Sequence, residues 1–365
     1  MKKIGIVFGT RPEIIKLFPI VLELEERKDF KFELIASQQQ DKLLKDAIDS
    51  FHLKNVRYLG APKLKNLVSS LTEISSNLDQ FARNNDFDFI MVQGDTATAC
   101  AGALVSFLNK IPLIHVEAGL RSGNKNRPFP EEIFRQLISR IATFNFAPSK
   151  IAKQNLLKEG IESKDIYVVG NTIVDVLRIC LNSSKAIVRQ YHKPTVLVTM
   201  HRRENFDKSI DEVCRGIHDY LEQDPEIQVV FVKHSNPKAT RNIDSILGNL
   251  KQVKITEALD YRTFVELLAC SDCVITDSGG VQEEAFLLDK KLIIARTETE
   301  RPEVLSGKTK ILKLDRKAVK ETLTTTISEI RNEIKRSETV VNLNTELGNG
   351  TAARKIIEVV DQWQA

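Results

Sequence analysis

Val274-Ile275-Thr276-Asp277-Ser278-Gly279-Gly280-Val281-Gln282-Glu283-Glu284 reads as a short β-branched run, a turn of small residues and the opening of a helix. A strand that stops at small residues and turns straight into a helix points the unpaired N–H groups of the first turn outward. The helix dipole adds partial positive charge there, so the turn is a ready anion site. Gly279 and Gly280 let a phosphate come close to the backbone, because no Cβ stands in the way. Glu284, about one turn further on, is placed to reach sugar hydroxyls beside such a phosphate. An ordinary strand-to-helix connection has the same appearance, so the rest of the chain has to decide.

Outward from that stretch, apolar runs alternate with helical patterns almost throughout. The first series of candidate strands is 4–8, 32–36, 56–59, 89–92, 113–116, 144–146 and 166–169. A second series is 196–199, 229–232, 253–256, 273–276, 292–295 and 311–314. Near-continuous apolar strands bounded by helices indicate parallel sheets covered on both faces. Two such series predict an α/β protein with two doubly wound, Rossmann-like domains. The expected division is 1–168 for the first domain, completed by a closing helix within 350–365, and 169–349 for the second. The polar stretch 182–193, ending before Pro194, reads as the connection. Ligands of doubly wound sheets sit beyond the carboxyl ends of the strands. Nearly every unusual polar cluster here follows a strand directly, which predicts an active site in one interdomain cleft.

At 365 residues the chain has room for two full cores, and 42% apolar with 28% charged residues is ordinary for a globular protein. A net charge of +4 is too small a surplus to imply a nucleic-acid or membrane surface. The opening apolar run breaks at Gly9-Thr10-Arg11-Pro12-Glu13, too soon for a secretory signal, and no 18-residue apolar stretch occurs. A cytoplasmic protein without a membrane span is expected. Five scattered cysteines argue against a disulfide framework. Cys270 and Cys273 lie between an apolar helix and a buried strand, so core packing is the preferred reading over a metal or redox pair. Neither a metal nor a cofactor is expected.

Gly9-Thr10-Arg11-Pro12-Glu13-Ile14-Ile15-Lys16 follows the first strand. Thr10 and Glu13 have the spacing of a capping box with Pro12 in the first turn. That accounts for those three but not for Arg11 and Lys16, two cations at a helix start, which make sense if an anion sits there. No dinucleotide fingerprint or P-loop follows. Asp95, in Gln93-Gly94-Asp95-Thr96, reads either as a helix cap or as a functional carboxylate. Glu117, directly after a buried strand, is costly unless paired or used. His115 lies within that strand and reads as a hydrogen-bonded core residue or as part of the site. In Pro130-Glu131-Glu132-Ile133-Phe134-Arg135, Glu131 and Arg135 share a helix face, with Ile133, Phe134, Leu137, Ile138 and Ile141 as the apolar side. His201-Arg202-Arg203-Glu204-Asn205 suits phosphate contact or proton transfer, or is a merely exposed basic loop. Lys233-His234-Ser235-Asn236-Pro237 follows the next strand with similar logic, and Arg296 and Arg301 add cations after a later one. Cations and a phosphate-type turn, opposed by carboxylates and His, suit proton transfer and C–O cleavage at a sugar whose leaving group is a nucleoside diphosphate.

Taken together, these clusters resemble the non-hydrolysing UDP-N-acetylglucosamine 2-epimerases. The matching pieces are Gly9–Lys16, Gln93–Thr98, His115–Ser122, Pro128–Glu132 with Arg135, His201–Asn205, His234–Pro237, Asp277–Glu284 and Thr299–Glu303, in order over most of the chain. The resemblance implies a fold like the GT-B glycosyltransferases, a UDP-binding second domain and a homodimer. It implies reversible conversion of UDP-GlcNAc to UDP-ManNAc, with UDP expelled through a 2-acetamidoglucal intermediate and added back, feeding surface polysaccharide synthesis. In its terms Asp95, Glu117, Glu131 and His201 form the catalytic group. Arg11, Lys16 and Arg135 hold phosphates or support those carboxylates. Ser278, Gly279 and Gly280 bind diphosphate, Glu284 the ribose, His234 the substrate, and Arg301 the sugar or its supporting network. It does not divide base from acid among the carboxylates. The chain departs from the family pattern at Gln38-Gln39, Phe134, Ser139, Met200 and Asn349. The rival readings are a 2-epimerase for another UDP-N-acetylhexosamine, a hydrolysing epimerase, a GT-B glycosyltransferase and a binding paralogue without catalysis.

Overall fold

The computed structural model describes all residues except 38–40, 61–65, 184–192, 201–207, 234–241, 297–303, 306, 334–344, 346 and 364–365. The chain forms two compact units, Met1–Arg178 with Asn344–Ala365, and Ile179–Leu343.

In the first unit, strands β1 (Lys2–Phe8), β2 (Phe30–Ala36), β3 (Val56–Tyr58), β4 (Phe89–Gln93), β5 (Leu113–Val116), β6 (Phe144–Ala147) and β7 (Ile166–Val168) make one sheet. Its order is β3-β2-β1-β4-β5-β6-β7, every neighbouring pair parallel. The order reverses between β1 and β4, the switch point at which doubly wound sheets open a crevice. Helices α1 (Arg11–Glu25), α2 (Asp41–Ser50), α3 (Leu67–Arg83), α4 (Ala97–Leu108), α5 (Glu131–Ile141), α6 (Lys150–Lys158) and α7 (Thr172–Ser183) alternate with the strands. Successive β1 side chains face opposite sides. Ile4, Ile6 and Phe8 pack with Ile14, Leu17 and Val21 of α1, while Val7 joins the core under α3, α4 and α5.

In the second unit, β8 (Thr195–Thr199), β9 (Gln228–Val232), β10 (Val253–Thr256), β11 (Cys273–Thr276), β12 (Lys291–Ile294) and β13 (Thr309–Ile311) form a parallel sheet ordered β10-β9-β8-β11-β12-β13. Helices α8 (Lys208–Gln223), α9 (Ile243–Leu247), α10 (Tyr261–Cys270), α11 (Gly279–Leu287) and α12 (Arg316–Glu333) accompany it. The last strand pairs earlier than the expected 311–314. Thr309–Ile311 pairs with β12, Leu312 N still donates to Ile294 O at 2.8 Å, and the Leu312 side chain is buried while that of Leu314 is partly so. Burial and pairing therefore mark different residues there.

The closing helix α13 (Ala352–Gln362) completes the first core. Ala353, Ile356, Ile357 and Val360 pack with α1 residues, and Trp363 sits edge-on to Phe89 at 5.3 Å and to Phe144 at 5.9 Å. Lys2 Nζ donates to Val360 O at 2.9 Å, placing a cation on the negative end of the helix. No helix among the described residues is long and apolar enough to cross a membrane.

Candidate active site

The carboxyl ends of β1, β4, β5 and β7 gather the first group of polar residues. The capping box at α1 forms, and Glu13 does more than close it. Its Oε2 accepts Gly9 N at 3.0 Å and Thr10 N at 2.7 Å, and its Oε1 accepts Thr96 Oγ1 at 2.7 Å. One carboxyl group thus ties the loop after β1 to the loop after β4 and fixes the two edges of the crevice. Burial pushes the Glu13 pKa up from 4.5 to about 7, against the hydrogen bonds from Thr96, Thr10 and Gly9 that favour the anion. Ionising Glu13 therefore costs more in the folded chain than in the unfolded one. Its contribution to stability is complete below about pH 4.5 and is lost as pH rises through about 7. At 1.36 kcal/mol per pKa unit, Glu13→Gln is expected to remove a stability loss of up to about 3 kcal/mol between pH 4.5 and 8. Denaturant unfolding of both proteins across that range checks this, and parallel pH curves would contradict it.

Glu117 follows β5 with φ +67, a left-handed backbone that costs a non-glycine residue about 1–3 kcal/mol and recurs at functional sites. Its Oε2 is in direct contact with Lys16 Nζ, and both side chains are only 8% exposed. Asn171 Nδ2 donates to the same oxygen at 3.3 Å. Asp95 accepts Arg135 Nε at 2.9 Å and also contacts Nη2, a two-point grip by the guanidinium. Lys16 and Arg135 thus both end on carboxylates. Arg135 Nη1 donates to Glu132 Oε2 at 3.3 Å, and Glu132 also accepts Ser122 N at 3.0 Å and Gly123 N at 3.1 Å. The two adjacent glutamates differ accordingly. Glu132 is fully buried and holds a loop, whereas Glu131 is half-buried. Arg11 is half-buried at the first position of α1. On α5, Phe134 and Ile138 are buried, but Ile133 and Leu137 face outward, so the expected single apolar side is divided between two faces.

His115 is a core residue. Its Nε2 faces the Gly94 carbonyl at 2.9 Å, an acceptor only, so that nitrogen carries the hydrogen, and Nδ1 faces the Ser139 hydroxyl at 3.4 Å. Burial lowers its pKa to about 4, with Gly94, Asp95 and Glu117 opposing the shift. The imidazole is neutral at ordinary pH and braces the floor beneath Asp95 and Glu117.

In the second unit, β11 stops at Thr276 and α11 starts at Gly279, as the turn chemistry predicts. Thr276 Oγ1 accepts Ser278 N at 3.1 Å, which shapes the turn, and the Ser278 side chain does not cap the helix. Among the described residues, a Cβ added at Gly280 would meet nothing within 4 Å, so they impose no steric need for glycine there. Glu284 is buried and its Oε1 accepts Tyr261 Oη at 2.8 Å. His201, His234 and Arg301 lie outside the described residues, as do Thr299 and Glu303.

Three residues at these sites escaped the motif reading. Tyr261 opens α10 behind the Asp260 cap, and its aim at Glu284 has no local signal. Glu132 was passed over beside Glu131. Asn171 stands in Gly170-Asn171-Thr172 after β7, where a strand end followed by Gly-Asn is a helix-cap signal.

Two parallel sheets of doubly wound order, with anion-suited turns and paired carboxylates at the carboxyl ends of their strands, define an α/β enzyme of the GT-B-like class. Residues 22–361 match the family model for UDP-N-acetylglucosamine 2-epimerase. A UDP-N-acetylglucosamine 2-epimerase of Bacillus subtilis (strain 168) is 36% identical over 368 residues, 98% of this chain and 95% of its own. The crystal structure of UDP-GlcNAc 2-epimerase from Neisseria meningitidis bound to UDP-GlcNAc superposes with a TM-score of 0.89 at 32% identity, covering 100% of each chain. That of the Methanocaldococcus jannaschii UDP-GlcNAc 2-epimerase in complex with UDP-GlcNAc and UDP gives 0.83 at 32% identity, covering 99% of this chain and 100% of that one. The chain belongs to the UDP-N-acetylglucosamine 2-epimerase family, a family of isomerases.

Proposed function

We propose that this enzyme interconverts UDP-GlcNAc and UDP-ManNAc by anti elimination and re-addition of UDP. A proton leaves C2 for a carboxylate while the C1–O bond breaks and its electrons leave with UDP, giving 2-acetamidoglucal. Protonation of C2 from the opposite face and return of UDP to C1 complete the turnover, so no hydride is needed. The observation that carries this reading is the pairing of Glu117 with Lys16 and of Asp95 with Arg135 at neighbouring strand ends. Two carboxylates held by cations are fixed in orientation, as proton transfer at carbon requires. Glu131 and His201 complete the proposed proton-transfer group. Arg11, His234 and Arg301 are assigned to substrate, Ser278, Gly279 and Gly280 to the diphosphate, and Glu284 to the ribose. The product suits surface polysaccharide precursors.

NMR of UDP-GlcNAc with the enzyme in D₂O tests the function. Deuterium at C2 with UDP-ManNAc forming is the expected result. Free ManNAc would indicate hydrolysis instead, and unchanged substrate would remove UDP-GlcNAc from consideration.

The open space over Gly280 makes a separable prediction about the diphosphate. Alanine is a better helix former than glycine and meets no clash here, so Gly280→Ala should leave the melting temperature unchanged or raised. The added methyl group would stand where the phosphate approaches. UDP affinity by calorimetry should fall by about 10-fold or more, the equivalent of about 1.4 kcal/mol. An unchanged affinity would take Gly280 out of the phosphate site.

A homodimer is part of the same proposal. Helices α4 and α5 expose Phe107, Leu108, Ile133 and Leu137, more apolar surface than isolated side chains need explain. Sedimentation equilibrium is expected to give twice the chain mass, and Leu108→Glu with Leu137→Glu to give the single chain.

A further inference from the structure

Asn171 is 2% exposed, and the two ends of its amide do different work. Oδ1 accepts Ile173 N at 3.0 Å, capping α7, and Nδ2 donates to Glu117 Oε2 at 3.3 Å. A backbone N–H can only donate, so the cap identifies the oxygen and leaves the nitrogen facing the carboxylate. The turn that carries Asn171 is itself gripped by the returning C-terminal segment. Asn171 N donates to Leu347 O at 2.7 Å, and Gly170, at φ +99, lies so close that a Cβ would stand 3.1 Å from Leu347 O and 3.2 Å from Gly348 Cα. One turn later Asp175 accepts Ala352 N at 3.2 Å and Ala353 N at 3.0 Å, capping α13 from outside that helix. Glu117 therefore receives one donor from α1 and one from a turn clamped by residues more than 170 positions further on.

We propose that Asn171 is a positioning residue for Glu117, holding the carboxylate of a left-handed residue in its reactive orientation through a turn locked by the C-terminal segment. This rests on the assignment of Glu117 to proton transfer. Asn171→Asp separates the two tasks. It keeps the size and the cap acceptor, aspartate being as good a helix cap as asparagine, but turns a negative oxygen toward Glu117 in place of a donor. Asn171→Ser likewise keeps a cap and loses the donor.

The melting temperature of Asn171→Ser is expected to stay close to that of the unaltered enzyme and that of Asn171→Asp, with two carboxylates facing each other, to be lower, with UDP affinity unchanged in both. C2 deuterium exchange at saturating UDP-GlcNAc should fall by about 100-fold in Asn171→Asp, and less in Asn171→Ser. A residue that only caps α7 predicts full activity for both. Glu117→Gln is measured alongside. Activity retained in that variant removes the assignment of Glu117 and this inference with it. An inactive Glu117→Gln beside fully active Asn171→Asp and Asn171→Ser overturns the role of Asn171 alone. If Asn171→Asp melts early, Asn171→Ser decides, and unchanged exchange there overturns the proposal.

Discussion

Glu117→Gln is expected to lower C2 deuterium exchange by about 10²–10⁴-fold, the usual worth of a positioned acid or base, with UDP affinity nearly unchanged. The substitution keeps the shape of the side chain, and its amide oxygen can still accept from Asn171 and from Lys16. What the proposed mechanism loses is a group able to take or give a proton at C2. The buried lysine also loses the charge of this carboxylate partner, so the variant should be less stable than the unaltered enzyme. Adding Lys16→Met should recover part of that stability and none of the exchange. The affinity measurement separates chemistry from binding, because UDP alone exercises the diphosphate and ribose contacts assigned to Ser278, Gly279, Gly280 and Glu284. If exchange in Glu117→Gln stays within a few-fold of normal, Asp95 and Glu131 inherit the role.

Glu132→Ala is expected to cost about 3–5 kcal/mol of stability. It leaves buried Arg135 without one of its two carboxylates and removes the acceptor of two loop N–H groups, those of the exposed residues Ser122 and Gly123. The loss of the buried ion pair is the costly part, because water can reach the loop donors. The same change loosens the guanidinium that grips Asp95, so exchange should fall as well. Glu131→Gln is the contrast. Half-buried and adjacent in sequence, it should alter stability by less than about 1 kcal/mol while abolishing exchange. Denaturant unfolding and the D₂O assay on both variants check the pair. Equal stability losses would contradict the division of roles between the two glutamates, and a larger loss in Glu131→Gln would reverse it.

That pair shows how far the sequence could be read. Pro130-Glu131-Glu132 announces a helix start and acidic residues in its first turn, and both are present. Which glutamate points into the protein depends on the loop at Ser122 and Gly123, ten and nine residues before Glu132, and on where α5 lies over β5. The same limit applies to α5 as a whole. Its apolar residues were visible, but two faces share them, and only packing against α4 shows that Phe134 and Ile138 go inward while Ile133 and Leu137 do not. The strand at Thr309–Ile311 starts two residues before the apolar run Ile311–Leu314 suggests, because its first residues, Thr309 and Lys310, are polar and only half-buried.

The sequence by itself determined what is local. Strand and helix periodicity, the capping box of Thr10 and Glu13, the strand–glycine–helix turn at Asp277–Gly280 and the family motifs all act over a few residues, where covalent geometry leaves little choice. Only the tertiary structure decided the partners. Lys16 reaches Glu117 across 101 positions, Asn171 reaches it across 54, Arg135 reaches Asp95 across 40 and Tyr261 reaches Glu284 across 23. These contacts exist because parallel strands joined by helices bring their carboxyl ends to one edge of the sheet, and for Lys16 because β1 lies beside β4, out of sequence. A carboxylate after a buried strand could be recognised as costly from the chain alone. The cations and amides that offset that cost come from segments whose neighbourhood is set by strand order, which no local pattern encodes.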